Sequence, residues 1–309
     1  MPFASGSGVR LAYVPETAFG VTPATPAFKA MRVTSGGLRT NKSTGTSNER
    51  QPDRNIRDVF ELGQDVTGNP AFELTYGSFD DLIAGALFGA WATNVLKNGV
   101  TPSSFTVEEM IALAGDENYS RFTGVMVNTL SLNIAAREAV TGSLALMGEK
   151  ETLDTAAITG ATYAAASTTP VSTASANVAS FTISGLTGTP RVRSLSLEIS
   201  NNLRTRPAVG TKFSAEFGAG SCNVTGNMSL YFDSNELYQK VLDHGSAALS
   251  FVVGNAVNQK YRFTLPKIRF GDGERAVGGK DDDVMINLPF QAILDTTENC
   301  SIKIERAVA

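Results

Sequence analysis

The 309 residues are 42% apolar and 18% charged, with a formal net charge of −4. That apolar share can bury a core for one large domain or two ordinary ones, and the acidic balance argues against a protein that grips nucleic acid through a basic face. Cys222 and Cys300 are too few for a disulfide framework and read as free or buried thiols.

Along the chain, residues 1–27 read as an N-terminal arm or strand. The first ten are small and polar, without the apolar region of a signal sequence, so synthesis in the cytosol is expected. Residues 39–58 form a polar stretch carrying Arg39, Lys42, Arg50, Arg54 and Arg57 against Glu49, Asp53 and Asp58. It reads as a long solvated loop or as an arm that orders against a neighbouring subunit. In 71–76, Phe72, Leu74 and Tyr76 alternate with smaller groups, the period of a half-buried strand. Ser78 and Asp81 have capping-box spacing before Leu82, Ile83, Ala86 and Leu87, which share one helix face. The apolar run 82–96 is too short to span a bilayer and predicts a buried helix. Strand alternation returns at 130–134 and 143–146. Residues 152–180 are rich in Ala, Thr and Ser and read as a linker or insertion, with a strand around 181–183. Alternation resumes at 195–199, 228–232 and 285–288, and Asp233 with Glu236 repeats the capping spacing before a second short helix.

Five short matches recur in the same order. Ser35-Gly-Gly-Leu-Arg-Thr returns at Ser200, Val66-Thr-Gly-Asn at Val224, the helix from Asp81 at Glu236, Ser104-Phe-Thr-Val at Ser250, and Arg121-Phe-Thr at Arg262. The offset falls steadily from 165 (200 − 35) through 158 (224 − 66), 155 (236 − 81) and 146 (250 − 104) to 141 (262 − 121). Collinear matches with modest gaps are the mark of a duplicated unit. The expected fold is mainly β (α+β): two tandem antiparallel β-sandwich domains, 28–151 and 181–309, each with one flanking short helix.

Catalytic chemistry finds no foothold. The single histidine, His244, cannot build a zinc site of ordinary spacing, and no nucleophile elbow accompanies it. Its place after the second helix suits a dipole partner. The glycines of 273–280 glance at a phosphate loop, but Glu274 replaces the first glycine and Asp281 to Asp283 follow the lysine. The three aspartates read as a solvated charge run rather than a calcium site. The expectation is a non-enzymatic chain with no catalytic residues, cofactor or metal.

The run Leu11-Ala-Tyr-Val-Pro-Glu-Thr-Ala-Phe-Gly-Val-Thr-Pro23 resembles the opening of siphophage tail tube proteins. So do Glu73-Leu-Thr-Tyr-Gly-Ser-Phe-Asp-Asp-Leu82 with Gly85 and Trp91, Phe105-Thr-Val-Glu108, Tyr119-Ser-Arg-Phe-Thr-Gly124, Val127 to Leu132, and Leu146-Met-Gly148. The likeness covers roughly residues 9–150. It implies tail-tube-like sandwiches that self-assemble into stacked rings, forming a hollow conduit for DNA during ejection. It places the protein in the virion tail, made in the host bacterial cytoplasm. The implied partners are further copies of the chain and other tail proteins (tape measure, terminator, distal tail), with DNA passing unbound and no membrane. The eight charged residues of 39–58 become candidate inter-subunit contacts. Two units per chain suggest a trimeric ring with pseudo-sixfold symmetry, against a hexamer in which one half decorates the outside. A virion-surface carbohydrate-binding or adhesion module and a secretion-system tube subunit are the alternatives.

Overall fold

The structure is a computed structural model describing residues 3–113 and 116–309. Among these the fold is mainly β, with two short helices, α1 (Asp80–Ala86) and α2 (Glu236–Leu242). Named strand pairs are antiparallel except Thr162–Ala164, which runs parallel to Ala27–Ala30. The hydrogen-bonded network runs through both halves rather than closing within each: among the described residues twenty strands connect, and the hairpin of Arg204–Pro207 with Ser214–Gly218 forms a separate sheet.

The expected strands form, the one read over 71–76 only as Ala71–Glu73. Strand Val192–Ser200 is typical: Leu195, Leu197 and Ile199 are buried while Ser196 and Glu198 are exposed, so one face meets the core and one meets water. The helices depart from expectation. The apolar run after Leu82 stays helical only to Ala86. Phe88 then takes a positive φ of 47°, and the chain turns into strand Val95–Lys97. Neither capping box forms. Ser78 bonds Thr75 instead, at 2.6 Å. Asp81 is taken by Lys29 and Tyr13, and Asp80 by Tyr261 and Arg306. Tertiary partners outcompete the local amides for these carboxylates.

The pairing register recurs between the halves. Val66, Thr67 and Gly68 face Gly148, Met147 and Leu146, and Val224, Thr225 and Gly226 face Ala292, Gln291 and Phe290. Glu73 faces Thr141, and Tyr231 faces Met285. The separations are constant at 158 on one strand (224 − 66, 231 − 73) and 144 on the other (292 − 148, 285 − 141). The matches at Val66, Arg121 and the helices keep their places within a residue. Two others shift: Leu38, facing Gly68, corresponds to Leu197, facing Gly226, and not to Leu203. Val107, facing Phe122, corresponds to Phe251, facing Phe263. A hairpin register is fixed by which residues reach the core, and Thr/Gly-rich words do not carry that information.

One main core draws on both halves, with Phe72, Phe79, Phe105, Phe251, Phe263 and Phe270 among its buried rings. Strand Lys303–Arg306 crosses back to pair with Val95–Lys97. Asn201 donates to the carbonyls of Ala86 and Val127, both at 2.9 Å. Residues 152–180 run back over the first half: Tyr163 stacks on Phe28 at 5.4 Å, and Val171 bridges Thr75.

Candidate functional site

Two surfaces stand out. The first is the outward face of the sheet where the halves join. Five strands lie side by side in space: Thr141–Gly148, the end of Asp116–Ala135, Val192–Ser200, Asn223–Tyr231 and Met285–Ala292. Inward side chains are Leu130, Leu132, Leu144, Leu195, Leu197, Met228, Leu230 and Leu288, all buried. The alternate positions facing out are Thr129, Ser131 and Asn133, then Thr141 and Ser143, then Ser194, Ser196 and Glu198, then Thr225, Asn227 and Ser229, then Asn287 and Gln291. Apart from Arg193, exposed at the bulge before Ser194, no lysine, arginine or histidine stands on these stretches. A shallow depression of about 620 Å³ crosses the joint, lined by Ser131, Asn133, Ser143, Ser196, Glu198 and Asn227 among others. Beyond Arg193 the face offers a polyanion no cation.

The second surface is a projecting hairpin. Strand Leu38–Thr46 pairs with Val59–Gly68, so 39–46 of the expected loop is strand; Arg39 faces Thr67 and Lys42 faces Gln64. Glu49, Arg50, Asp53, Arg54, Arg57 and Asp58 lie in its tip, closed by the Ser47 amide on the Asp58 carbonyl at 3.1 Å. All eight expected contact residues are exposed. Within this chain the structure brings only Asp53 and Arg57 together as an ion pair. Charge counting missed the apolar part of the arm: Ile56, Val59, Phe60 and Leu62 are exposed, and the alternation of Phe60 and Leu62 was the available signal. The second hairpin, 204–218, leans on the base of the first through the Gln64 amide on the Lys212 carbonyl (2.7 Å) and Ser214 on Asp65 (2.7 Å).

Buried polar groups hold these surfaces in place. Glu16 accepts hydrogen bonds from the amides of Gly20 and Gly124 and the hydroxyls of Ser104 and Thr106, at 2.7–3.0 Å. Glu108, fully enclosed, accepts from Arg121 at 2.8 Å and Tyr163 at 2.7 Å. Arg121 also reaches Asp154, whose carboxyl it holds below the usual range. Burial and the neighbouring Asp80 push the Tyr261 hydroxyl far up, so it stays a donor at any relevant pH. These groups are each engaged in structural bonds. Among the described residues no set of three or more His, Cys, Asp or Glu side chains is placed to hold a metal ion, and no helix is long and apolar enough to cross a membrane.

No curated protein sequence matches the chain significantly. The family model described as phage tail tube protein matches residues 6–292, nearly the whole length and both halves. The chain therefore belongs to the phage tail tube protein family, a structural component of the virion tail and not an enzyme.

Proposed function

We propose that this chain is the tube subunit of a siphophage tail, built of two tandem tube domains, and that it closes into trimeric rings with pseudo-sixfold symmetry. The rings stack into a conduit through which DNA leaves during ejection. The observation that carries this reading is the recurrent pairing register: the first four-strand set (33–41, 66–73, 141–148, 127–135) is repeated by a second (192–200, 223–231, 285–292, 274–276). Eight strands per chain give about 24 in a trimer. At about 4.8 Å between strands and a tilt near 40°, such a barrel is about 48 Å across its backbone, wide enough for a duplex.

The polar face described above is assigned to the bore. Fixed cations there would bind phosphates through counterion release and stall transit; serine, threonine, asparagine and glutamate do not. The projecting part of the hairpin, 42–65, is assigned to contacts between stacked rings, with Arg50, Arg54 and Arg57 beside the exposed Ile56, Phe60 and Leu62. Residues 152–180 are assigned to the linker between the domains. Cryo-electron microscopy of assembled protein tests the reading. Three chains per ring and a channel lined by both halves are expected. Six chains per ring, with one half outside, overturn the duplication reading. Persistent monomers with affinity for sugars favour the adhesion module.

A further inference from the structure

The joint between the halves displays how one four-strand set attaches to the next. Strand Val192–Ser200 lies antiparallel beside the end of Asp116–Ala135, with Leu195 opposite Ile134, Glu198 opposite Ser131 and Ser200 opposite Thr129. Both strands have counterparts at the far sides of the molecule. Val33 and Leu38 face Phe72 and Gly68 as Val192 and Leu197 face Leu230 and Gly226. Glu274, Arg275 and Ala276 face Asn287, Ile286 and Met285 as Ser131, Leu132 and Asn133 face Ser143, Gly142 and Thr141. Each counterpart has one open side. Among the described residues Glu274–Ala276 pairs only with Met285–Ala292, and Leu38–Thr46 only with Val59–Gly68.

Resting on the tube reading, we propose that these two open edges meet between copies: residues 38–41 of one chain pair antiparallel with 272–275 of the next, Arg39 opposite Glu274 and Gly36 opposite Val277. The register is the internal joint carried over by the two separations, 159 (198 − 39) and 143 (274 − 131). The partner is a second copy of this chain.

Two further observations agree with it. Ile134 is only 8% exposed at the internal joint, where it closes a gap of about 180 Å³ with Val178, Val192 and Leu195. Its counterpart Val277 is 75% exposed, and an open depression lies at the free edge, lined by Val9, Gly36, Gly37 and Leu38 among others. The apolar plug and its socket lie on opposite ends of one molecule, an arrangement that only another copy satisfies. Glycines 36 and 37 stand where the internal joint has Leu195 and Ser196, which leaves the room that Val277 takes. Charge agrees as well: the facing pair Glu198 and Ser131 becomes Arg39 and Glu274, opposite in sign.

Cross-linking tests the joint. With Cys222→Ser and Cys300→Ala as background, Arg39→Cys and Glu274→Cys are combined and the protein is oxidised after assembly. Directly opposed cysteines lie within disulfide reach, whereas a pair two residues out of register does not. The expected result is a denaturing-gel ladder of covalent dimer and trimer that ends at the closed trimer. The combination Arg39→Cys with Ala276→Cys should give no ladder. A second test survives poor folding of the cysteine variants: Arg39→Glu should block ring formation, and adding Glu274→Arg should restore it. Tubes that form without the link, or that link only in the shifted pair, overturn this joint and leave the tube reading standing. Wild-type protein that never forms rings overturns both.

Discussion

Glu16 sits inside the turn that the sequence motif Pro-Glu-Thr-Ala-Phe-Gly encodes, and its two carboxylate oxygens answer four donors from three separate segments. Gly20, with φ of 73°, lets the chain fold back so that its own amide joins the set. Glu16→Ala would leave several partly buried donors unmet, at a cost of about 3 kcal/mol. Denaturant unfolding measures it, and a loss below about 1 kcal/mol would show the carboxylate to be dispensable. Two other glutamates make a pair with opposite pH signs. Glu298 is held below the usual range by hydrogen bonds from Lys303 and Lys97. Its contribution is present above the unfolded-state value and is lost as pH falls through the lower folded value. Glu298→Gln should therefore lower Tm at pH 7, with the deficit vanishing in acid. Glu109 is pushed up by burial and then by Glu151. Its protonated form suits the fold, and that advantage is lost as pH rises through the folded value. Glu109→Gln should raise Tm at pH 7 and do little at pH 4; the same Tm series reads both.

At the scale of elements, the hairpin 38–68 separates folding from assembly. Its tip, 48–57, is exposed throughout. Replacing those residues by Asn-Gly, which suits a two-residue hairpin turn, should leave Tm nearly unchanged while shortening or abolishing stacked rods. Rods of unchanged length in micrographs would remove the arm from the stacking contact. The strands around it were legible from sequence because period-two alternation reports directly on burial: Leu195, Leu197 and Ile199 could be read as inward without any structure. The arm's charged tip was legible too, as a polar run. What alternation could not give was the partner of each strand. The words at Ser35 and Ser200 look alike, yet Ser35 stands where Ser194 does. The helix ends were also misread, since Asp80 and Asp81 serve a tyrosine, a lysine and an arginine far along the chain rather than the amides beside them. The polar face proposed to line the bore was hidden for a similar reason. Its outward serines and asparagines come from five strands spread between residues 129 and 291, and only the pairing gathers them.

On the whole-molecule scale, a ring of three such chains has half of its joints built into the polypeptide and half left to association. The internal ones cannot come apart without unfolding, because one core and one hydrogen-bonded network cross them. The return of strand Lys303–Arg306 to Val95–Lys97 adds a temporal constraint. Residues 95–97 wait for a strand translated 208 residues later (304 − 96), with Ile304 set opposite Leu96 and both fully enclosed. A nascent or prematurely ended chain thus keeps an apolar seam open in its first half, where chaperones and proteases find it. Only a chain that has been translated through this clasp is sealed, so the fold itself sorts finished subunits from fragments before any of them can be added to a tail.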